Sequence, residues 1–124
     1  MLAAVENVRI ESLCAVVSGK NITAEDRLAN LIDSRKISRL KKVTGFDSFS
    51  VAEEGICTSD FCVRAAEKIF DTAQISRKEI RALIFVSQTA DYFMPSTACT
   101  LQKRLSLPDD IAAFDISPGC SGFV

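Results

Sequence analysis

Apolar residues recur along the chain in short runs and regular spacings, and these patterns predict strands alternating with helices. A mostly β-branched apolar run from Val8 to Val17 predicts a first strand, which the turn-rich cluster at 18–21 closes. Thr23 is placed to cap a short amphipathic helix over residues 24–32. The apolar residues that share one face of this helix are Ala24, Leu28, Leu31 and Ile32.

The middle of the chain contains a basic segment and the most regular helical pattern. Residues 34–42 carry five basic side chains, and the segment predicts a helix that stops at Gly45. This basic stretch is more typical of a solvated helix face than of a binding patch. Residues 46–55 have no clear period and are left as a loop or a short edge strand. With Thr58 or Ser59 as N-cap, apolar residues four apart predict a helix that reaches Ala73.

The C-terminal half adds two strands and one more helix. Residues 76–79 have capping-box spacing and predict one short turn. The uninterrupted apolar run 82–86 is typical of a central parallel strand that is buried on both faces. Pro95 marks the start of a helix that ends before Leu107. A last strand at 111–116 then leads into a glycine-rich turn.

The order strand, helix, strand, helix, strand predicts an α/β protein whose helices lie in layers on a sheet. Residues 119–124 resemble the opening turn of a further helix, which the sequence does not complete. We therefore expect residues 1–124 to be the first part of one domain of a longer chain, truncated just after this turn.

Composition and charge exclude several classes of protein. The 124 residues include 15 Lys and Arg against 16 Asp and Glu, which gives a net charge of -1 and no electrostatic reason to bind nucleic acid or an anionic membrane. The apolar runs are far shorter than the roughly 20 residues that cross a bilayer. The N-terminus meets Glu6 before a signal peptide develops, so we expect a cytoplasmic protein.

The chain has no histidine, which excludes a Ser-His or Cys-His pair within it and the imidazole ligands of most zinc sites. Its five cysteines have irregular spacings, and neither a metal knuckle nor a disulfide framework is indicated. We expect reduced thiols, no metal and no bound cofactor.

Cys120 is the candidate nucleophile. It lies between glycines where a buried strand meets a predicted helix N-terminus, and such a position favours the thiolate and lowers the thiol pKa. Gly119 and Gly122 permit a tight turn and the approach of a substrate carbonyl. The alternative is a buried structural cysteine, which is the commoner fate of this residue type. The other four cysteines are expected on core faces or in the loop near Cys57.

The segment from Ala113 to Phe123, AFDISPGCSGF, resembles the active-site segment of the β-ketoacyl-acyl carrier protein synthase III family, a branch of the thiolase-like enzymes. The resemblance includes Thr44-Gly45, the helix at Ala65-Ala66, the strand 83–88 and the segment MPSTAC at 94–99. It runs from about Ile10 to the last residue. It implies a layered α/β/α thiolase-like half, with Cys120 as the catalytic cysteine.

The resemblance also implies a reaction. Cys120 would take an acyl group from an acyl-coenzyme A, and malonyl-acyl carrier protein would then lose carbon dioxide and attack the acyl-enzyme. The family acts as a homodimer, and its catalytic histidine and asparagine lie in a C-terminal portion. Thr44 and Met94 fall in the substrate-binding segments. Arg39 and Val43 replace the usual tryptophan and arginine, and Met94 replaces an aromatic residue of the acyl pocket.

A second function class stays open on the sequence. The chain is alternatively a non-catalytic α/β module, either a fragment or a partner subunit, that acts only by association. Because condensation needs groups that stabilise an enolate, and this chain has no histidine, we expect the isolated chain to be inactive in condensation on either reading.

Overall fold

The computed structural model describes residues 6–122, and helices and strands occupy this range from Asn21 onwards. The strands are β1 (Asn21–Thr23), β2 (Ser48–Ser50), β3 (Ala82–Val86) and β4 (Ala112–Ile116). The helices are α1 (Ala24–Leu28), α2 (Ser34–Thr44), α3 (Thr58–Ala73) and α4 (Thr97–Arg104), with short 3₁₀ turns at Arg77–Glu79 and Gly119–Ser121. The predicted α/β class is confirmed. Across this range, no helix has the length and apolar character needed to span a membrane.

The predicted first strand at residues 8–17 is wrong. Between residues 6 and 20 the backbone joins no sheet, and Val8, Ile10 and Leu13 are exposed. A strand needs a neighbour with which to exchange hydrogen bonds, and none of the described strands pairs with this segment. The first observed strand, β1, begins instead at the end of the predicted turn.

Residues 17–56 form one of two compact units. In this unit β1 pairs antiparallel with β2, and Ile22 lies opposite Phe49. The expected cap of α1 is confirmed, because the Thr23 hydroxyl accepts a hydrogen bond of 3.0 Å from the backbone N–H of Asp26. Helix α1 ends at Leu28, before the expected end at residue 32.

Helix α2 packs in the same unit through Ile37, which is buried. Gly45 ends the helix in the left-handed conformation, with a φ of 73°, as expected. The Lys41 ammonium lies 2.7 Å from the Glu25 carboxylate and 3.1 Å from that of Asp47. The hydrogen bond with Lys41 lowers the pKa of Glu25, and the same contact raises the pKa of Lys41.

The second compact unit contains residues 6–16 and 57–122. Strands β3 and β4 are parallel, with Ala82 opposite Ala112 and Phe85 opposite Asp115. Phe85 is buried in a core with Ala98 and Leu101 of α4. Cys62 and Val63 of α3 pack against that core. Both α3 and α4 therefore lie on the face of the sheet to which Phe85 points.

The opposite face of this sheet is open, so the prediction that 82–86 is buried on both faces is wrong. Ile84 is 52% exposed, and Val86, Phe114 and Ile116 are exposed with it. The run is apolar on both faces, but the helices packed against Phe85 cover one of them. Residues 6–122 provide no second helical layer for the other.

Two helix starts differ from those predicted. Cys57 caps α3 in place of Thr58 or Ser59, and its backbone N–H donates to the Asp60 carboxylate at 2.8 Å. Ser96 caps α4, so Pro95 precedes the helix instead of starting it. At α4 the Ser96 hydroxyl accepts a hydrogen bond from the free backbone N–H of Cys99, which fixes the helix start. At α3 the bond from the Cys57 N–H to Asp60 fixes it.

Candidate active site

Cys120 lies on an exposed turn that follows β4. The chain leaves the strand at Ile116, passes Ser117-Pro118 and makes one 3₁₀ turn over Gly119–Ser121. The Ser121 hydroxyl donates to the Pro118 carbonyl at 2.9 Å and closes this turn. The Cys120 thiol is exposed, which is what a nucleophile that meets a soluble substrate requires. The helix that the sequence predicts after the turn would continue into residues 123–124, which lie outside the described residues.

The turn lies against the end of β3 at Gly122. A Cβ on Gly122 would lie 3.1 Å from Cγ1 of Val86, which is tighter than ordinary contact. Gly119 has a φ of 65°, in the left-handed region that favours glycine, and its Cβ would make an ordinary contact of 3.9 Å with Nε2 of Gln88. Gly122 therefore permits the close approach to β3, and Gly119 permits the backbone conformation of the turn.

An open pocket of about 370 Å³ lies at the carboxyl ends of β3 and β4. Its lining residues are Ser87, Gln88, Ala90, Asp91, Tyr92, Phe93, Asp115 and Ser117. The carboxyl ends of parallel strands are where open α/β sheets bind their ligands. Cys120 is not among the lining residues, but the Cβ position of the preceding Gly119 is 3.9 Å from Nε2 of Gln88, which is one of them. The turn that carries Cys120 therefore lies at the edge of the pocket.

Met94, a predicted substrate-binding residue, is exposed in the loop before α4 and does not line this pocket. Its neighbours Tyr92 and Phe93 do. The resemblance to the synthase III family points to Met94, which stands where the family has its aromatic side chain, and it does not indicate Tyr92 or Phe93. The role of Met94 stays a prediction.

Thr44, the other predicted substrate-binding residue, is the last residue of α2 in the unit 17–56. Its hydroxyl donates to the Leu40 carbonyl at 2.9 Å and accepts from the backbone N–H of Phe46 at 3.3 Å. These bonds hold the end of the helix. A role in binding substrate stays a prediction.

The remaining thiols are less uniform than expected. Cys62 is half-buried, and burial together with the negative charge of Asp91 raises the pKa of its thiol. The expectation of a core position is wrong for Cys99, which is exposed, whereas Cys57 is exposed in the loop just before α3, as expected. Cys99 lies on the outer side of α4, where its sulfur accepts from the Ser96 hydroxyl at 3.1 Å. Exposure alone therefore does not distinguish Cys120.

Asp115 links the end of β4 to the start of α4 by hydrogen bonds that the sequence does not predict. Its two carboxylate oxygens accept the backbone N–H groups of Thr97 and Ala98, each at 2.7 Å. A carboxylate near the end of a strand was the available sequence signal, but its partners are 17 and 18 residues away. Within residues 6–122, no group of three or more potential ligands is placed to hold a metal ion.

Proteins similar to this chain are 3-oxoacyl-acyl carrier protein synthases. A Campylobacter jejuni protein described as a 3-oxoacyl-(acyl-carrier-protein) synthase 3 is 33% identical over 121 residues, which cover 96% of this chain and 34% of that protein. The β-ketoacyl-(acyl-carrier-protein) synthase III of Latilactobacillus sakei is 47% identical over 66 residues, or 53% of this chain and 20% of that protein. The chain matches the N-terminal part of the synthase III family.

Solved structures agree with this similarity to synthase III proteins. A 3-oxoacyl-(acyl-carrier protein) synthase from Burkholderia xenovorans superposes with a TM-score of 0.81 at 33% identity, over 88% of this chain and 31% of that one. Cerulenin-bound Xanthomonas campestris OleA gives 0.78 at 26% identity, over 90% and 34%. The fold is thus that of a thiolase-like synthase III. No family model matches the sequence. The chain spans about a third of the length of these relatives.

Proposed function

We propose that Cys120 is the acyl-accepting nucleophile of a decarboxylating β-ketoacyl synthase, which transfers an acyl group from coenzyme A to malonyl-acyl carrier protein. The observation that supports this proposal is the position of Cys120. It is an exposed thiol on a glycine-flanked turn, next to a pocket at the carboxyl ends of two parallel strands. The similarity to synthase III proteins supplies the class of reaction.

In the first step the Cys120 thiolate attacks the carbonyl carbon of the acyl-coenzyme A. The C–S bond to coenzyme A then breaks, coenzyme A leaves as its thiolate, and the acyl group stays on Cys120 as a thioester. One thioester replaces another of similar energy, so this exchange needs no external energy source. In this proposal, the backbone N–H of Cys120 donates a hydrogen bond to the transient oxyanion.

In the second step the malonyl group on the carrier protein loses carbon dioxide. The electron pair of the broken C–C bond forms the new bond to the acyl carbon, and Cys120 leaves as a thiolate. The enolate formed on the way needs hydrogen-bond donors, and the chain contains no histidine to supply one. We therefore expect this chain to be acylated slowly and to release no ketoacyl product by itself.

We propose acyl-coenzyme A and malonyl-acyl carrier protein as the substrates, the cytoplasm as the location and a homodimer as the assembled enzyme. It needs no metal or bound cofactor, because the thioester supplies the activated acyl group and decarboxylation supplies the carbon nucleophile. Thr44 and Met94 are proposed to contact the substrate in that assembly.

The test is to incubate the 124-residue protein with acetyl-coenzyme A and to measure acetylated protein by intact mass together with released coenzyme A. Cys120→Ala is the critical variant, and Cys99→Ala is the matched control because that thiol is also exposed. We expect acetylation of the wild type and of Cys99→Ala but none of Cys120→Ala. Undiminished acetylation of Cys120→Ala would refute the assignment.

Adding malonyl-acyl carrier protein tests the second step. Ketoacyl product above the Cys120→Ala background would show that this chain condenses without a histidine or other catalytic group supplied by another chain.

A role by association alone is the second candidate function, which the open sheet face at Ile84 and Phe114 favours.

A further inference from the structure

Asp115 makes the strongest polar contacts between β4 and α4. Each of its two carboxylate oxygens accepts one backbone N–H from the first turn of α4, at 2.7 Å from Thr97 and at 2.7 Å from Ala98. Hydrogen bonds to a charged acceptor are about twice as strong as neutral ones. The positive end of the helix dipole adds to the attraction.

These bonds do more than start a helix. Helix α4 has its own N-cap, because the Ser96 hydroxyl accepts from the backbone N–H of Cys99. The Asp115 carboxylate is instead a long-range contact that fixes where the first turn of α4 lies relative to the end of β4. Cys120 is the fourth residue after the end of β4. The same carboxylate therefore helps to fix the position of α4 relative to the turn that carries Cys120.

The loop between β3 and α4 depends on that first turn. The Thr97 hydroxyl accepts from the backbone N–H of Asp91 at 3.3 Å, and Thr97 is 0% exposed. The Asp91 carboxylate in turn accepts from the backbone N–H of Ser59 at 3.4 Å. Tyr92 and Phe93 come directly after Asp91, and both are exposed. Polar bonds at Asp91 and Thr97, more than apolar packing, therefore hold the aromatic wall of the pocket.

We propose that Asp115 is a positioning residue, which holds the start of α4 and thereby the Tyr92-Phe93 wall of the pocket beside Cys120. This inference rests on the proposed function, because it assigns that wall to binding the acyl thioester that Cys120 attacks. Asp115 lines the pocket, but both of its carboxylate oxygens are engaged by α4, so we assign it a role that acts through the loop.

The first readout uses the only tyrosine of the chain. Tyr92 is the single tyrosine and the chain has no tryptophan, so intrinsic fluorescence reports this loop alone. Asp115→Asn keeps one acceptor oxygen and loses the charge. We expect lower fluorescence anisotropy and stronger acrylamide quenching in Asp115→Asn, with an unchanged far-ultraviolet circular dichroism spectrum. Asp110→Asn, which changes an exposed aspartate just before β4, is the matched control and should leave both signals unchanged.

A second variant covers the case in which Asp115→Asn fails to fold. Thr97→Val removes the hydroxyl that Asp91 contacts but keeps the backbone N–H that Asp115 accepts. It should shift the Tyr92 signals in the same direction. Folded variants at both positions with wild-type anisotropy and quenching would overturn the proposal.

The second readout is the acylation of Cys120 as a function of acyl-coenzyme A concentration. A displaced wall weakens binding, so Asp115→Asn should raise the half-saturating concentration at least about fivefold while the limiting rate changes little. An unchanged half-saturating concentration in folded Asp115→Asn would refute the positioning role. If the wild type is not acylated at all, the proposed function fails, and the Tyr92 measurement still decides whether Asp115 holds the loop.

Discussion

Replacing Gly119 by alanine tests whether the turn of Cys120 must keep its observed conformation. Gly119 has a φ of 65°, in the left-handed region, and a Cβ there would meet Nε2 of Gln88 at 3.9 Å, an ordinary contact. The substitution therefore acts through the backbone and not through crowding. Because the turn is exposed, we expect the chain to relieve the strain locally, by leaving the turn conformation, while the sheet stays folded.

The size of the effect follows from the cost of that conformation. An L-residue with a side chain pays about 1–2 kcal/mol in the left-handed region, which corresponds to a factor of about 5–30 in the population of the turn. If acyl transfer requires the turn, Gly119→Ala should acylate Cys120 from acetyl-coenzyme A about 5–30 times more slowly than the wild type. Alkylation by iodoacetamide needs exposure of the thiol, and its rate should change little.

Gly55→Ala is the matched control for this experiment. Gly55 also has a positive φ, of 80°, with open space around its Cβ position, and it belongs to the unit 17–56. Gly55→Ala should introduce a similar backbone strain without slowing the acylation of Cys120. The reasoning is refuted if Gly119→Ala is acylated at the wild-type rate, or if Gly55→Ala slows acylation as much.

Three further changes test the packing, the ionisation and the open face of the unit that carries Cys120. Leu101→Ala should lower the free energy of unfolding by about 2–5 kcal/mol in urea denaturation, since Leu101 is 3% exposed, whereas Leu40→Ala, at an exposed position, should cost far less. Hydrogen bonds from the Cys57 backbone N–H and, second, from Arg104 hold the pKa of Asp60 below its usual 3.8. The charged Asp60 therefore stabilises the fold above pH 3.8, and this stabilisation is lost as the pH falls through the lowered pKa. Asp60→Asn should therefore destabilise the fold at pH 7, and this loss of stability should shrink as the pH falls below 3.8. A loss of thermal stability that is independent of pH argues against this role of Asp60. Ile84→Lys should reduce self-association in sedimentation, because it charges the open face of the sheet; a monomeric, dye-inert wild type at tens of micromolar contradicts this.

Local periodicity predicted α3, β3 and β4 because an amphipathic pattern records which side chains point to a core. In α3, Cys62 and Val63 pack against the core that contains Phe85. The same signal failed at residues 8–17, since an apolar run shows that a segment suits a strand but not that a partner strand lies beside it. It also overstated the burial of β3: the run suits burial on both faces, and the described helices cover one.

The candidate site was predictable as far as short-range chemistry extends. Cys120 was identified from its flanking glycines and from the similarity of its segment to synthase III proteins. The pocket wall at Tyr92 and Phe93, and the bonds from Asp115 to α4, depend on contacts between distant segments. A single sequence does not reveal which distant backbone groups a carboxylate will meet.

The central claim is that Cys120, among five thiols, is the one that accepts the acyl group. The direct measurement is to treat the wild-type chain with limiting acetyl-coenzyme A, block the remaining thiols, digest it and map the acetyl thioester by tandem mass spectrometry. The account predicts acetyl on Cys120 first and little on Cys57 or Cys99, although both are exposed. Acetyl spread evenly over the exposed thiols, or carried mainly by Cys57 or Cys99, would contradict it.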